Sequence, residues 1–407
     1  MLIKEVSAKP ILDSRKEKTI FVSIKTNVGY FSASAPAGKS VGKHEKKSYK
    51  KNLEEDIKTI KNFKDYFSEE IIEKFDDLRR IEDILDRQIG ANTLFALESA
   101  VLKALANEQN PKNFPKENFG TTKSKKEWED FVGKQVWMLI NPKAKKIPRL
   151  VGNCIGGGKH SDSKKKPDFQ EFLLIPNLKS VKESFEINKR KKEEAERILQ
   201  DIDKKFENKT TDENAWMTSL NEKEILEILG RLNVPLGLDI AASGFYKRKK
   251  YNYSNPLLKR TEEEQFGYLV NLIKNFDLFY IEDPFHEEDF ESFAKLLKKF
   301  PNRLIVGDDL TVTDSKRLEK AIKMKSINAT IVKPNQCGSL LEVKEVCELA
   351  KKNNVKIVFS HRSGETEENI LADLAFGFGA DFFKCGIDGE VREAKLKRLI
   401  EIEKGLK

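Results

Sequence analysis

Three short apolar runs follow one another in this sequence: LFYIEDPF (278–285), LIVGDDLTVT (304–313) and ATIVKPNQCGS (329–339). Each run ends in a charged residue where a turn begins, and amphipathic segments of helical length separate the runs. This alternation predicts parallel strands joined by crossover helices. Three further runs repeat the pattern: VPLGLDIAAS (234–243), KIVFSHRSGE (356–365) and DFFKCG (381–386). We therefore predict an α/β barrel.

Charged side chains stand at the carboxyl ends of the six predicted strands, where α/β barrels place their active sites. In chain order these strand ends carry Asp239, Glu282, Asp308, Lys333, His361 with Arg362, and Lys384. Three carboxylates on neighbouring strand ends would repel one another unless a divalent cation lay between them. Because all-oxygen ligands suit Mg²⁺, the sequence predicts a magnesium site on Asp239, Glu282 and Asp308.

The motifs at these strand ends resemble those of the enolase family, whose members interconvert 2-phosphoglycerate and phosphoenolpyruvate. IEDPF, GDDLTVT, K-x-NQ-x-G and SHRSGE stand in the family's order, with its spacing from Asp308 to Lys384. The resemblance implies a TIM-like barrel and a Mg²⁺-dependent lyase of glycolysis and gluconeogenesis. It also implies two Mg²⁺ ions, the second recruited together with a small phosphorylated substrate.

The first hundred residues predict a smaller α+β domain. ILDSR (11–15), TIFVSIKT (19–26) and YFSASAP (30–36) show the alternation of half-buried strands and predict an antiparallel meander. Helical spacing of apolar residues then continues over residues 52–107. Its last part, IGANTLFALESAVLKALANE (89–108), resembles the L-G-A-N-A helix of enolases, which packs the small domain against the barrel.

The length of 407 residues fits a barrel with one additional domain better than a single compact unit. Residues 109–134 are polar and rich in Lys, Asn and Gly, which is typical of a domain boundary. We predict an N-terminal α+β capping domain over residues 1–125 and an α/β barrel over residues 135–407.

A glycine-bearing loop, PAGKSVGKHE (36–45), follows the meander. Flexible loops beside an active site commonly act as lids, although a plain connection would have the same composition. The enolase loop S-G-A-S-T-G corresponds here to residues 37–42, and Ser40 is retained. The resemblance implies that Ser40 ligates the second Mg²⁺ when this loop closes.

Two further segments resemble enolase loops that carry catalytic groups. In LVGNCIGGGKH (150–160) a strand runs into three glycines and then His160, and Gln170 and Glu171 match the family's Q-E-F strand. In TTDENAW (210–216), Glu213 matches the acid of the family's G-D-E-G-G segment. Without the family, Glu213 would be read as an ordinary helix-capping acid.

The resemblance also implies a role for each matched residue. Lys333 would remove the proton next to the substrate carboxylate, and the metal ions and Lys384 would lower its pKa. Glu213, helped by Glu171, would protonate the leaving hydroxyl, with His160 as a further catalytic residue. Arg362 and Ser363 would grip the phosphate. The remaining implied substrate contacts are Gln170, His361, Lys384 and Glu282.

The charge of the chain indicates a lysine-rich surface. The net charge of +9 arises from 75 Lys and Arg against 66 Asp and Glu, interleaved along most of the sequence. The basic clusters at residues 164–166 and 247–250 lack the interleaved aromatic residues of a stacking surface. We therefore do not expect nucleic-acid binding as the main function.

Apolar runs long enough to span a bilayer are absent from the sequence, and its N-terminus lacks the apolar core of a signal peptide. The four cysteines form no C-x-x-C pair. We expect a cytoplasmic protein with free thiols and no membrane association. The resemblance implies a homo-oligomer, a dimer or larger.

Two alternatives stay open at the level of sequence. Asn214 and Ala215 replace the two glycines of the family's acid segment, and the lid loop has lost two hydroxyls. These changes allow a paralogue that acts on another phosphorylated hydroxy acid. The second alternative is a non-catalytic scaffold or RNA-associated protein, against which the complete set of polar site residues argues.

Overall fold

The computed structural model describes residues 1–39, 42–67, 70–85, 87–109 and 135–406. The predicted domain boundary therefore lies largely outside the described residues, as does Ser40.

The N-terminal part is an antiparallel meander covered by helices, as predicted. Its strands are β1 (Ile3–Leu12), β2 (Lys18–Thr26) and β3 (Gly29–Ser34). Its α-helices are α1 (Leu53–Phe63), α2 (Leu78–Leu85) and α3 (Ala91–Glu108). In the turn between β1 and β2, Lys16 has φ 63°, so the chain reverses without a glycine at that position.

The second part begins with a short helix, α4 (Val136–Ile140), and contains all the remaining described strands. These are β4 (Arg149–Gly156), β5 (Glu171–Leu174), β6 (Trp216–Met217), β7 (Leu236–Asp239), β8 (Tyr246–Lys247), β9 (Lys250–Ser254), β10 (Leu257–Arg260), β11 (Tyr280–Glu282), β12 (Leu304–Gly307), β13 (Ala329–Val332), β14 (Lys356–Ser360) and β15 (Phe382–Lys384).

Within the described residues, eight of these strands close into a barrel in the order β4, β5, β7, β11, β12, β13, β14, β15, with β15 paired back to β4. This confirms the predicted fold class. The sequence did not predict that β5 runs antiparallel to both of its neighbours, β4 and β7. A loop over residues 157–170 joins β4 to β5, and antiparallel neighbours need no crossover helix between them.

Helices follow the strands around the outside of the barrel. They are α5 (Val181–Ile202), α6 (Glu222–Leu229), α7 (Glu262–Asn275), α8 (Phe290–Lys299), α9 (Ser315–Lys323), α10 (Pro334–Cys337), α11 (Leu340–Lys352), α12 (Ile370–Gly377) and α13 (Glu390–Gly405). Polar caps mark the starts of several of these helices: Asn221 and Thr261, for example, each form a capping box with the Glu three residues later.

Alternating side chains of the barrel strands form two apolar layers. Val151, Leu173 and Val358 belong to a small cluster inside the barrel, whereas Leu150, Phe172 and Phe359 join the larger core beneath the helices. This two-sided burial explains why the strands are continuous apolar runs in the sequence. None of the helices in the described part of the chain is long and apolar enough to cross a membrane.

The N-terminal part packs directly on the carboxyl ends of the barrel strands. Gly338 has φ 84°, and a Cβ there would lie 2.6 Å from the Cα of Ala91, so only glycine permits this approach of α3. The Glu98 side chain of α3 accepts a hydrogen bond of 2.6 Å from the Leu340 amide. The contact predicted for the IGANTLFALESAVLKALANE helix is therefore present.

Candidate active site

The strand ends and the N-terminal lid loop enclose a polar cavity. Most of the residues predicted for the site line it: His160, Gln170, Glu171, Glu213, Asp308, Lys333, His361, Arg362, Ser363 and Lys384. Gly38 of the lid loop also lines the cavity. The structure thus brings together residues that lie more than 200 positions apart in the sequence.

Strand register places three carboxylates side by side. Glu171 pairs with Asp239 across β5 and β7, and Asp239 pairs with Glu282 across β7 and β11. The ammonium of Lys384 lies 2.9 Å from Asp239 Oδ2, 2.8 Å from Glu282 Oε1 and 3.4 Å from Glu171 Oε1. Although burial opposes its charge, attraction to these three carboxylates raises the pKa of Lys384 well above its ordinary value.

Lys333 forms the second ion pair of the cavity floor. Its ammonium donates to Asp308 Oδ2; Asp308 is buried and Lys333 is partly buried. Burial disfavours the charge of Lys333, but attraction to Asp308 outweighs this and raises the pKa of Lys333 to about 12. In the free protein Asp308 is the immediate partner of Lys333, and the lowered pKa expected for Lys333 beside bound metal ions stays a prediction.

The donor set of the predicted metal site fits a divalent cation. Asp239, Glu282 and Asp308 offer only oxygen ligands and are buried at neighbouring strand ends. Burial and repulsion from Asp239 raise the pKa of Glu282 to about 8, even though Lys384 pairs with it. A hard cation bound beside Glu282 would add to the positive charge of Lys384 and stabilise the ionised carboxylate.

By distance alone, two groups in the described residues could hold a metal ion: His160 with Glu171 and Glu213, and Asp283 with Asp308 and Asp309. The predicted set differs from the second group. In the second group Asp283 is bonded to the backbone: its oxygens accept the amides of Asp308, at 3.0 Å, and Asp309, at 2.7 Å. Asp283 therefore fixes the turn after β12, a role that the sequence analysis missed.

Glu213 lies in a buried pocket with two histidines, and not at a helix start. His160 Nε2 is 3.8 Å from Glu213 Oε1, and His361 Nε2 is 3.5 Å from Glu213 Oε2. Asn153 donates to Glu213 at 3.1 Å. The other ring nitrogen of His160 is 2.7 Å from Asp212, which orients the imidazole. The reading of Glu213 as a helix cap is thereby excluded.

The two carboxyls on this side of the cavity have opposite pKa displacements. Burial and repulsion from Glu213 raise the pKa of Glu171 well above its ordinary value. Burial would also raise the pKa of Glu213, but the charges of His160 and His361 hold it well below its ordinary value. In the free protein a proton on this pair therefore lies on Glu171.

The predicted phosphate-binding residues meet the lid loop. Arg362 donates from both terminal nitrogens to Glu45, with distances of 3.0 and 3.2 Å, and the two side chains are buried. Ser363 Oγ accepts from the Lys39 amide at 2.7 Å and from Arg15 at 3.1 Å. The N-terminal part therefore positions the Arg362–Ser363 pair before any ligand binds.

Comparison with known proteins places the chain in a family. A family model described as the C-terminal TIM barrel domain of enolase matches residues 144–407, and one described as the enolase N-terminal domain matches residues 3–115. The chain belongs to the enolase family.

Curated enolases from archaea are similar to it along its length. The enolase of Methanosphaera stadtmanae is 35% identical, with 100% of this chain and 97% of that protein covered. The enolase of Methanothermobacter thermautotrophicus is 33% identical, with 99% and 96% covered. The enolase of Pyrobaculum aerophilum is 41% identical over 274 residues, which cover 64% of each chain.

Membership of the enolase family implies a divalent metal, in agreement with the acidic groups at the strand ends. Among the residues described, three enolase site contributors were not foreseen from the sequence: Asp212 beside His160, Glu45 beside Arg362, and Arg392. Arg392 is fully buried on α13 and donates to the Ser363 carbonyl at 2.9 Å. For Asp212 and Glu45 the only signal in the sequence was a charged residue within a predicted loop.

Proposed function

We propose that this chain interconverts 2-phosphoglycerate and phosphoenolpyruvate, with Lys333 as the base and the Glu171–Glu213 pair as the proton donor. The observation that carries the proposal is the composition of one cavity. It combines two ammonium groups, a set of strand-end carboxylates, the buried carboxyls of Glu171 and Glu213, and an arginine with a serine suited to phosphate.

In the forward reaction the C2–H proton passes to Lys333 Nζ, the C2=C3 double bond forms, and the C3 hydroxyl leaves as water. The leaving hydroxyl takes a proton from the Glu171–Glu213 pair. A carboxylate oxygen of Glu171 lies within 4.8 Å of one of Glu213. We assign direct contact with the hydroxyl to Glu213 and the reserve proton to Glu171, with His160 orienting both. General acid and base groups of this kind each contribute about 10²–10⁴-fold to the rate.

We propose that the divalent ion is Mg²⁺ and that Asp239, Glu282 and Asp308 hold it. When bound, it neutralises the negative charge that develops on the substrate carboxylate. We further propose a second ion that Ser40 ligates on lid closure. Attraction to Asp308 keeps the proton on Lys333, so the base role requires that another cation balances the charge of Asp308.

The phosphate would be held by Arg362 and Ser363, since the planar guanidinium of arginine matches phosphate oxygens. Gln170, His361, Lys384 and Glu282 would complete the substrate contacts. Gln170 already lies 3.2 Å from Asp239 Oδ2, so the amide is oriented in the free protein. We also propose a cytoplasmic location and a homo-oligomer, a dimer or larger, which the family resemblance supports.

The acid segment gives no support to a different substrate. Asn214 has φ 60°, the left-handed conformation that a glycine there would adopt readily, and Ala215 is fully buried. The loop thus tolerates both replacements, which were the reason for considering another phosphorylated hydroxy acid.

Formation of phosphoenolpyruvate from 2-phosphoglycerate, followed by its ultraviolet absorbance, tests the proposal. We expect turnover that requires Mg²⁺, stops on chelation and is lost in Lys333→Ala but kept in Lys325→Ala, which changes an exposed lysine before the start of β13. Turnover of another phosphorylated hydroxy acid with no activity on 2-phosphoglycerate would overturn it.

A further inference from the structure

A buried lysine of helix α5 forms a hydrogen bond to the loop that carries Glu213. Lys192 is 4% exposed, and its ammonium donates to the backbone carbonyl of Asn214, the residue directly after Glu213. The same ammonium lies 2.8 Å from both carboxylate oxygens of Asp388. A buried cation is stable only when it is paired in this way, so the three groups constrain one another.

Asp388 connects the contact between Lys192 and the Glu213 loop to the strand that carries Lys384. It lies in the turn after β15, four positions beyond Lys384. Asn214 Nδ2 lies 3.4 Å from the Asp388 carbonyl, and a Cβ on the neighbouring Gly389 would lie 1.9 Å from that nitrogen. The acid loop therefore packs tightly on the turn that follows the Lys384 strand.

Trp216 also packs against Lys192. Its indole nitrogen donates to the Lys192 carbonyl at 3.1 Å, and the Lys192 ammonium lies 5.0 Å from the centre of its ring. Trp216 belongs to β6, which pairs with β4 of the barrel. The loop between Thr211 and Trp216 is thus fixed at both ends, because Thr211 also pairs with Ala215 through its backbone at 2.8 Å.

We infer that Lys192, paired with Asp388, is a positioning residue for Glu213 and for the Asp212 that orients His160. It touches neither the substrate nor the reacting atoms. Its contacts fix the positions of the Asp212 and Glu213 carboxylates on the loop. Through Asp388 they also connect the loop to the turn after β15, the strand that carries Lys384. The inference rests on the proposed function, since it assigns Lys192 to the step in which Glu213 acts.

Lys192→Met tests this by removing the charge while keeping a side chain of similar length. Misplacement of a catalytic group by about 1 Å costs on the order of 10²-fold. We expect dehydration of 2-phosphoglycerate to fall by about that factor while exchange of the carbon-2 proton with solvent, which needs only the base, stays within about threefold. The matched control is Lys191→Met, since Lys191 pairs with Glu194 within the same helix.

A double variant separates positioning from general support of the fold. If Lys192 acts through Glu213, Lys192→Met adds no further loss of dehydration to Glu213→Gln. Equal losses of dehydration and exchange, or losses that multiply in the double variant, would overturn the inference. If Lys192→Met fails to fold, Asp388→Asn, at a half-exposed position, replaces it in the test. We expect Asp388→Asn to lower dehydration while exchange is kept. Unchanged dehydration in Asp388→Asn would also overturn the inference.

The outcomes distinguish this inference from the proposed function. Full dehydration in Glu213→Gln alone would refute the acid role on which the inference rests. If Glu213→Gln loses dehydration while Lys192→Met keeps full dehydration activity, the proposed function stands and the role of Lys192 is refuted.

Discussion

Carboxylate oxygens of Glu171 and Glu213 lie within 4.8 Å of each other, yet the pKa of Glu171 is raised and that of Glu213 is lowered. The cause is their different neighbours. Glu213 faces His160 and His361, whereas Glu171 is buried against the negative charge of Glu213 itself. Carboxyl pairs whose environments separate their pKa values in this way are a common arrangement for acid catalysis.

This difference predicts opposite effects of two isosteric changes on stability. Burial and repulsion from Glu213 favour the protonated form of Glu171, which glutamine resembles, so Glu171→Gln should hardly change the thermal midpoint. Glu213→Gln removes an ionised group facing two histidines and should destabilise the fold by about 1.5–3 kcal/mol. Thermal unfolding of both variants at neutral pH checks this, and equal shifts would show that the two carboxyls share the same protonation state.

Metal binding should depend on Glu282. Glu282→Gln removes one charge without changing the side-chain volume, and we expect calorimetric titration with Mg²⁺ to lose its high-affinity phase. Glu291→Gln, an exposed change on α8, is the control and should titrate like the parent protein. A normal titration of Glu282→Gln would place the ion elsewhere, with the Asp283, Asp308 and Asp309 group as the next candidate.

The lid loop should be sensitive to a single methyl group. A Cβ on Gly38 would lie 1.9 Å from the Nη2 atom of Arg362, which Glu45 already holds. Gly38→Ala should therefore raise KM for the phosphorylated substrate by displacing the guanidinium. Gly267→Ala, in the middle of α7 with no atom within 4 Å of the added Cβ, should leave KM unchanged and stabilise the fold by about 1 kcal/mol. An unchanged KM in Gly38→Ala would remove Arg362 from the phosphate site.

A pH dependence of stability is expected from Glu222, which is far from the proposed metal ligands in sequence. Burial raises the pKa of Glu222 from 4.5 to about 7. The folded state therefore holds this proton to higher pH than the unfolded chain does, and its contribution to stability falls as pH rises from about 4.5 to 7. Glu222→Gln cannot titrate and lacks this loss. The thermal midpoint of the variant minus that of the parent protein should therefore increase from about pH 4.5 to 7 and stay constant above that range.

The control for this measurement is Glu227→Gln, an exposed position on the same helix. Its difference from the parent protein should be small and flat with pH. A flat difference for Glu222→Gln as well would show that this carboxyl titrates normally in the folded state.

The barrel and most of its site residues could be predicted because their signals are local. Apolar runs end at charged side chains that line the cavity, as Asp308 and Lys333 show, so one short motif reports both a strand and a functional group. The reversed direction of β5 has no such signal, since Glu171–Leu174 reads like any other buried strand.

The contacts that the sequence did not reveal join distant positions. Lys192 and Asp388 are 196 residues apart, and Lys192 lies in a helix whose charged pattern predicts only a solvated outer face. The raised pKa of Lys333 in the free protein was not foreseen from the sequence for a related reason. Its shift depends on contact with Asp308, 25 residues away, and strand spacing does not specify which side chains pair across the cavity.

The separation of carbon-2 proton exchange from dehydration tests the central claim most directly. Exchange needs only proton removal by Lys333, whereas dehydration also needs the acid pair. We predict that Lys333→Ala loses both activities and that Glu213→Gln keeps exchange but loses dehydration by about 10²–10⁴-fold. Exchange that survives in Lys333→Ala, or full dehydration in Glu213→Gln, would contradict these assignments.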